Sequence, residues 1–410
     1  MLQLIDELLK SGKAKPRQIL FYTLDDFPNV VASIDEVLNA YHDAVYSDYD
    51  FYLFLDEAQK YRYWKNSLKK LFDLHKKAHA VISGSSSVEL EKQSDESGAG
   101  RFLTIKIPTM SFFDFCELNG EKKDIGDIDV FKMHELSLPE QSSIYMKLSS
   151  LNRQYIRYLK LGGFPEYAKS EHYGEVSRLI RDQVITKAIS QDIVETYSLR
   201  DASALINLYS YLCYHSSDII SIEAITQALE IDKATCNQYL LALEKANLIY
   251  VSEQMNLSGK SLLKKRRKIY VSDYALRCAV TRNSDIETNP RELGYAIETV
   301  SFKHTKDYFA SLDQWLYNVG YVRGDGDKEI DIVVQKRGID FQYVEAKYRN
   351  NSRIKDADGI VVMGLEDTPG YVITKDPMDY GLQDRGKTKL YRIPAFAYAY
   401  LLGKRMGEGD

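Results

Sequence analysis

The sequence lacks closely spaced cysteines and long apolar runs. Its four cysteines, Cys116, Cys213, Cys236 and Cys278, form no CxxC pair. This spacing argues against a zinc site or a disulfide framework and favours a reducing, cytoplasmic environment. No apolar run approaches the ~18 residues of a membrane-spanning helix, and the first residues are unlike a signal peptide. We therefore expect no membrane partner.

The composition is that of an ordinary globular protein. The chain has 410 residues, of which 44% are hydrophobic and 28% are charged, and its formal net charge is -5. This length suggests two or three domains, each able to bury a core. Because the chain is mildly acidic, any contact with nucleic acid must use a local basic patch.

The first part of the chain alternates short apolar runs with helical patterns. Residues 18–24, 51–55 and 80–82 are the apolar runs, and residues 64–75 show helical spacing. This alternation predicts an α/β fold with a parallel sheet. Polar residues follow each run, at the carboxyl ends of strands where open α/β sheets bind their ligands.

Two carboxylates follow the second apolar run. Asp56 and Glu57 have the Walker B arrangement, in which the first acid orients a hydrated Mg²⁺ ion and the second activates the attacking water. Ser85, after the next strand, is a candidate sensor of the γ-phosphate. The alternatives are a solvated acidic pair at a strand end and a turn serine.

The middle of the chain has the pattern of a winged helix-turn-helix. Ser221 caps a helix that runs to Leu229, residues 230–232 form the turn, and a second helix starts at Lys233. Two strands, 249–252 and 268–271, then enclose a basic loop.

This basic loop is a candidate nucleic-acid interface. Six of the nine residues from 260 to 268 are cations, and such a loop can lie along a phosphate backbone while the second helix enters the major groove. The second helix offers Asn237 and Gln238 to base edges but no arginine, which predicts weak sequence specificity. The alternative is a solvated turn that serves domain packing. The six cations are Lys260, Lys264, Lys265, Arg266, Arg267 and Lys268.

The C-terminal region contains a second set of carboxylates. Glu298 lies in a helical pattern, and Asp331 and Glu345 lie on strands joined by a turn at 336–340. The period of two places Glu345 and Lys347 on one face of their strand. If Asp331 lies opposite, Mg²⁺ held by Asp331 and Glu345 would relieve their repulsion, and Lys347 could polarise a water for attack on a phosphodiester. This Glu…Asp…Glu-x-Lys order is similar to the PD-(D/E)XK nuclease core, although an Asp followed by an ExK also arises by chance.

Taken together, the motifs resemble an AAA-type ATPase family of archaea and bacteria. The resemblance rests on their joint order along nearly the whole chain. It implies a P-loop NTPase-like fold, ATP and Mg²⁺ as cofactors, and Asp56 as a residue that binds them. It also implies an uncharacterised C-terminal domain with the nuclease-like fold. Arg101 could act as an arginine finger on a neighbouring subunit of a homo-oligomer, or it could anchor a loop. The motifs lie at 53–59, 82–86, 100–102, 108–115, 162–166 and 268–273.

The phosphate-binding loop of this family is missing from its expected place before Asp56. The pattern GxxxxGK[ST] occurs at 381–388, but a strand-like run ending at Pro394 follows it, whereas a P-loop must open a helix. We interpret 381–388 as a surface turn and expect impaired ATP binding. Either the start of the chain is truncated or misassigned, or the protein is a degenerate paralogue.

The sequence therefore predicts an α/β protein of three parts joined by a helical linker. We expect an AAA-type ATPase domain without its P-loop at 1–140, the linker at 141–198, a winged helix at 199–281 and a restriction-endonuclease-like α/β domain at 290–403. The leading function is that of an ATPase-family protein with impaired ATP binding and hydrolysis. The alternatives are a magnesium-dependent DNA nuclease and a non-catalytic, DNA-binding regulatory protein.

Overall fold

The chain forms two compact units, described separately below. The computed structural model describes residues 1–24, 33–61, 63–84, 103, 105–194, 202–255, 266–283, 286–324, 326, 328–348, 354–366 and 368–407. The first unit comprises Met1–Lys106 and Asp192–Leu199, and the second comprises Ile107–Gln191 and Arg200–Asp410. In the described part of the chain, every helix is too short or too polar to cross a membrane.

The first unit is built on a parallel three-stranded sheet, which confirms the predicted α/β architecture of this region. Strand β2 pairs with β1 on one side and β3 on the other. Strand β2 is the central strand, and its Leu53, Phe54 and Leu55 are each at most 1% exposed, as expected where both faces are covered. The elements are α1 (Leu2–Lys10), β1 (Ile19–Thr23), α2 (Ile34–Ala44), β2 (Tyr52–Asp56), α3 (Trp64–Leu74) and β3 (His79–Ile82).

The second unit begins with helices. Residues 107–140, which the sequence assigns to the ATPase-like domain, pack within this unit: the Phe112 amide donates to Nε2 of His304, at 2.9 Å. Two π-helical segments, Ile180–Ile185 and Ala188–Ile193, follow the last of these helices, and the second of them ends within the residues assigned to the first unit. The helices are α4 (Phe112–Leu118), α5 (Leu138–Ser149), α6 (Asn152–Leu161) and α7 (Tyr173–Leu179).

The middle segment contains the predicted helix pair and strand pair. Ser221 caps the first helix by accepting from the Ala224 amide at 3.1 Å, and Asp232 caps the second by accepting from Ala234 at 2.8 Å. Three short strands form an antiparallel sheet in the order β4-β6-β5. The elements are α8 (Ala202–Tyr214), β4 (Ile219–Ile220), α9 (Ile222–Leu229), α10 (Lys233–Lys245), β5 (Ile249–Glu253), β6 (Arg267–Val271) and α11 (Tyr274–Thr281).

The described residues that follow α11 contact other parts of the second unit. Ile286 is fully buried, and Glu287 forms an ion pair with Lys160. Asn289 then caps the long helix α12 (Pro290–Asp313) by accepting from the Arg291 amide at 3.1 Å. This helix carries Glu298.

A six-stranded mixed sheet completes the second unit, in the order β11-β12-β10-β9-β8-β7. Strands β8 and β9 form the predicted hairpin, and its two turn residues, Arg337 and Gly338, have φ values of 53° and 78°, as a type I′ turn requires. The elements are β7 (Tyr317–Arg323), β8 (Glu329–Lys336), β9 (Ile339–Ala346), α13 (Gly359–Val362), β10 (Gly370–Thr374), β11 (Gly381–Arg385), β12 (Thr388–Pro394) and α14 (Ala395–Gly407).

Candidate functional site

The first candidate site lies at the carboxyl end of β2. Asp56 is the last residue of this strand, is partly exposed, and accepts a hydrogen bond from the hydroxyl of Ser83. Ser83 follows the neighbouring strand β3, so the two side chains meet because parallel strands end at one edge of a sheet. The sequence did not single out Ser83, although it lies two residues before the candidate Ser85.

Glu57 occupies a constrained position next to Asp56. Its φ and ψ are 54° and 44°, the left-handed region that non-glycine residues rarely adopt. Such outliers cost free energy and are concentrated at functional sites. The chain turns sharply here, and the Ala58 amide then donates to the Ser83 carbonyl at 3.0 Å. The Ser83 amide also donates to the Leu55 carbonyl, at 2.9 Å. Hydrogen bonds therefore join the ends of β2 and β3 directly before and after the two acids.

Five predicted site residues lie outside the described residues. They are Ser85, Arg101, Lys260, Lys264 and Lys265.

The second candidate site lies in the C-terminal sheet, where the structure brings together the four residues singled out for nuclease chemistry. The register of β8 and β9 pairs Ile332 with Val344, so Asp331 and Glu345 occupy the next cross-strand position. The Ala346 amide donates to Oδ2 of Asp331 at 2.9 Å. Lys347 Nζ lies 2.6 Å from Oε1 of Glu345, which agrees with the prediction that these two side chains share a face.

Glu298 on α12 is connected to this site by Lys268, a residue that we expected to bind DNA. Lys268 Nζ lies 2.6 Å from Oε1 of Glu298, 2.6 Å from Oε1 of Glu329 and 3.2 Å from Oδ1 of Asp331. The Lys268 side chain is only 4% exposed. The expectation that Lys268 contacts a phosphate backbone is therefore wrong: β6 turns this side chain inward, where its charge compensates three carboxylates. We call Lys268, Glu298, Glu329, Asp331, Glu345 and Lys347 the carboxylate centre.

The buried ionisable groups of the carboxylate centre shift one another's pKa values. Burial, reinforced by Asp331, raises the pKa of Glu345 to about 8, and Lys347 lowers it only in part. Burial also raises the pKa of Glu298 to about 7, against the opposing effect of Lys268. Burial alone would lower the pKa of Lys268, but Glu298 and the neighbouring acids raise it well above its ordinary value. Lys268 is therefore charged at neutral pH.

Two residues that contact the predicted site residues were not themselves predicted. Glu329 lies two residues before Asp331 on β8, and the Tyr270 hydroxyl donates to Oε1 of Glu298 at 2.9 Å. The period of two was the available signal, because it places Glu329 beside Asp331 and Tyr270 beside Lys268. It could not show that Lys268 on β6 contacts Glu329 and Asp331 on β8.

The remaining described cations of the basic loop have different environments. Arg266 is exposed, whereas Arg267 is partly buried and donates from Nη1 to Oδ1 of Asn237 at 3.3 Å. Asn237, a candidate for reading base edges, also donates to the Lys233 carbonyl at 2.9 Å. Arg267 and Asn237 therefore hold β6 against α10 in this structure.

The P-loop-like pattern at 381–388 forms a β-hairpin. Strands β11 and β12 pair antiparallel, with Arg385 opposite Thr388, and Gly386 has a φ of 74° at the turn. The interpretation of 381–388 as a surface turn is correct only for residues 386–387, because Gly381–Arg385 forms β11; the strand expected after the turn is β12. Since the segment opens no helix, it provides no phosphate-binding helix N-terminus.

Within the described ranges, no group of three or more His, Cys, Asp or Glu side chains has an arrangement that could hold a metal ion. In the carboxylate centre, the ammonium group of Lys268 lies among Glu298, Glu329 and Asp331. Oε1 of Glu345 contacts Lys347, and its Oε2 is buried without a hydrogen-bond partner among the described residues.

Comparisons with known proteins identify two regions of similarity. Residues 1–116 match the family model of an AAA domain, and residues 152–287 match a domain of unknown function. An uncharacterized protein of Haemophilus influenzae is 25% identical over 234 residues, which are 55% of this chain and 51% of that protein. An uncharacterized protein of Methanocaldococcus jannaschii is 25% identical over 249 residues, 58% of this chain and 50% of that protein. The matches thus span about half the length of these relatives. No solved structure matches the chain.

Proposed function

We propose that this is an ATPase-like protein in which Asp56 orients a magnesium ion and Glu57 activates the attacking water. The similarity of residues 1–116 to an AAA domain carries this proposal. The position of Asp56 supports it, since a partly exposed carboxylate beside a serine hydroxyl at a strand end suits the hydration shell of Mg²⁺. When bound, Mg²⁺ would neutralise the charge of the nucleotide phosphates.

ATP binding by these 410 residues is expected to be weak. Backbone amides of a P-loop and its lysine supply charge-assisted hydrogen bonds to the phosphates, each contributing roughly 1.5–3 kcal/mol. The sequence contains the GxxxxGK[ST] pattern at 381–388, where the structure has a hairpin. Asp56 and Glu57 alone cannot replace this set of donors.

Calorimetric titration with ATP and Mg²⁺, together with a phosphate-release assay, tests the proposal. We expect weak binding, and Glu57→Gln should abolish any hydrolysis while leaving binding unchanged. Asp56→Asn should weaken only the magnesium-dependent part of binding. Asp43→Asn, an exposed acid on α2, is the matched control. Hydrolysis that survives both Asp56→Asn and Glu57→Gln would exclude the assigned roles.

A second candidate function is metal-dependent cleavage of a phosphodiester by the carboxylate centre. The convergence of Glu298, Asp331, Glu345 and Lys347 supports it. Two of its carboxylates, Asp331 and Glu345, offer oxygen ligands of the kind that a hard divalent cation prefers: Glu345 is 6% exposed, and its buried Oε2 has no hydrogen-bond partner among the described residues. Asp331 and Glu345 would hold the ion, which when bound would lower the pKa of a coordinated water.

Lys347 would act in this reaction as a cation. Burial opposes its charge, but Glu345, with Asp331 and Asp358, outweighs burial and raises the pKa of Lys347 above its ordinary value. The ammonium group therefore stays protonated at neutral pH. It can orient the Glu345 carboxylate and stabilise negative charge that develops on a phosphate. Its protonation argues against a role as general base.

Incubation of the chain with single-stranded and plasmid DNA in Mg²⁺ or Mn²⁺ tests this second function. Cleavage that Glu345→Gln abolishes would support it. If DNA is bound but remains intact with both metals, the result would instead favour the remaining hypothesis, that the protein is a non-catalytic DNA-binding regulator. In that case charge reversal at Lys264, Lys265 and Arg266 should release the DNA at low salt.

A further inference from the structure

A polar cavity of about 630 Å³ borders the carboxylate centre. It is lined by the end of α8, the segment that leads into α9, and residues at the ends of β6, β7 and β8. Glu329 belongs to both places, because it lines the cavity and its Oε1 lies 2.6 Å from Lys268 Nζ. A ligand in the cavity would therefore lie beside the centre.

The basic residues that line the cavity suit a phosphate group. Arg266 and Arg323 both line it, and guanidinium groups match the geometry of phosphate oxygens better than any other side chain. Both acids in the lining have a basic neighbour: Glu329 accepts from Lys268, and Asp218 lies 3.3 Å from Nδ1 of His215. The ammonium group of Lys268 thereby reduces the repulsion that Glu329 exerts on an anion.

Two aromatic side chains form another part of the cavity wall: Tyr211 lies on α8, and His215 directly follows this helix. The rings of Tyr211 and His215 have their centroids 4.4 Å apart with an interplanar angle of 34°, and both residues line the cavity. Aromatic side chains next to cations form the usual binding surface for an unpaired nucleotide, whose base stacks while its phosphate is neutralised. The cavity volume of about 630 Å³ lies in the range of pockets that hold one small ligand.

We propose that this cavity binds one unpaired nucleotide of a single-stranded nucleic acid and thereby presents the adjoining phosphodiester to the carboxylate centre. Arg266 and Arg323 bind the phosphate, and Tyr211 stacks on the base. The inference rests on the proposed cleavage function and specifies its substrate class. It differs from the expected role of the basic loop, because it assigns Arg266 to a single strand instead of a duplex.

Fluorescence anisotropy in EDTA measures this binding without cleavage. Labelled oligo(dT) should bind more tightly than the same strand in a duplex, and Arg266→Gln and Tyr211→Ala should each weaken binding by about tenfold or more. Arg266→Lys should be intermediate. The matched controls are Arg153→Gln and Tyr214→Ala, since both residues are exposed and neither lines the cavity; they should bind like the parent chain.

Three outcomes would overturn the inference: equal or tighter binding of the duplex, competition by a mononucleotide as effective as that by the oligonucleotide, or unchanged binding by both Arg266→Gln and Tyr211→Ala. Circular dichroism verifies that each variant is folded. A separate cleavage assay with Mn²⁺ distinguishes the two proposals. Strand binding without cleavage refutes only the nuclease function, and cleavage without an effect of these variants on binding refutes only the cavity assignment.

Discussion

Lys268 on β6 and Glu298 on α12 form an ion pair in which the side chains are 4% and 17% exposed and the charged atoms are 2.6 Å apart. The same ammonium group contacts Glu329 and Asp331. One lysine from the middle segment therefore compensates the acids of the C-terminal sheet. A divalent cation that used these three carboxylates would have to displace it.

Lys268→Met should destabilise the second unit and make its stability sensitive to metal ions. Removing one partner of a buried ion pair costs roughly 3–5 kcal/mol, because the remaining charges are uncompensated. Mn²⁺ should then raise the urea midpoint of Lys268→Met more than that of the parent chain. Lys389→Met, on β12 and exposed, is the control. Equal shifts in all three proteins would show that Lys268 and the metal do not compete.

Lys347→Ala should lower any metal-dependent cleavage by about 10²-fold or more, because preorganised charge next to the reacting phosphate is lost. Lys347→Arg keeps the charge and should retain part of the activity. Lys355→Ala, an exposed lysine nearby in the sequence, serves as control. Rates from single-turnover cleavage would reveal the difference, and wild-type rates for Lys347→Ala would remove this residue from the mechanism.

Gly163→Ala should destabilise the second unit by about 1–3 kcal/mol, because a Cβ there would overlap the backbone of Met110. This glycine also donates from its amide to Oδ2 of Asp273 at 2.8 Å and accepts from the Met110 amide at 2.8 Å. Gly174→Ala is the matched comparison, since a Cβ on that helical glycine meets nothing within 4 Å. It should be neutral or stabilising by at most about 1 kcal/mol. Urea denaturation of both variants would test the contrast.

The second unit should lose stability in mild acid through His304. This residue is fully buried on α12, and burial, reinforced by Lys303, lowers the pKa of its imidazole to about 3. Below the ordinary histidine pKa of about 6.5, this imidazole is protonated in the unfolded chain but stays neutral in the folded chain. The free energy of unfolding therefore decreases as the pH is lowered, until about pH 3. The expected loss is roughly 3 kcal/mol between pH 6.5 and pH 4.

The comparison for this prediction is His304→Gln. This variant should be less stable at pH 7, because the Phe112 amide and the Val300 carbonyl lose well-placed partners. Its unfolding free energy should nevertheless change less between pH 7 and pH 4 than that of the parent chain. The same pH dependence in both proteins would assign the acid sensitivity to other groups.

The sequence by itself determined the local elements. Apolar runs, caps and turn residues identified the parallel strands that precede Asp56 and Ser83, the helix pair that begins at Ser221, and the β8–β9 hairpin. These signals are local, since a cap or a period of two depends on residues a few positions apart. The pattern at 381–388 was likewise assigned to a turn from its neighbours alone, because a strand and a proline follow it.

Only the tertiary structure decided which of these elements meet. The run of cations at 260–268 looked like one surface feature, yet Lys268 lies buried among acids while Arg266 faces a cavity. Likewise, Glu329 became part of the centre because the Lys268 side chain reaches both α12 and β8. Such contacts join distant segments, and they are set by the packing of whole apolar faces, which charge patterns along the chain do not encode.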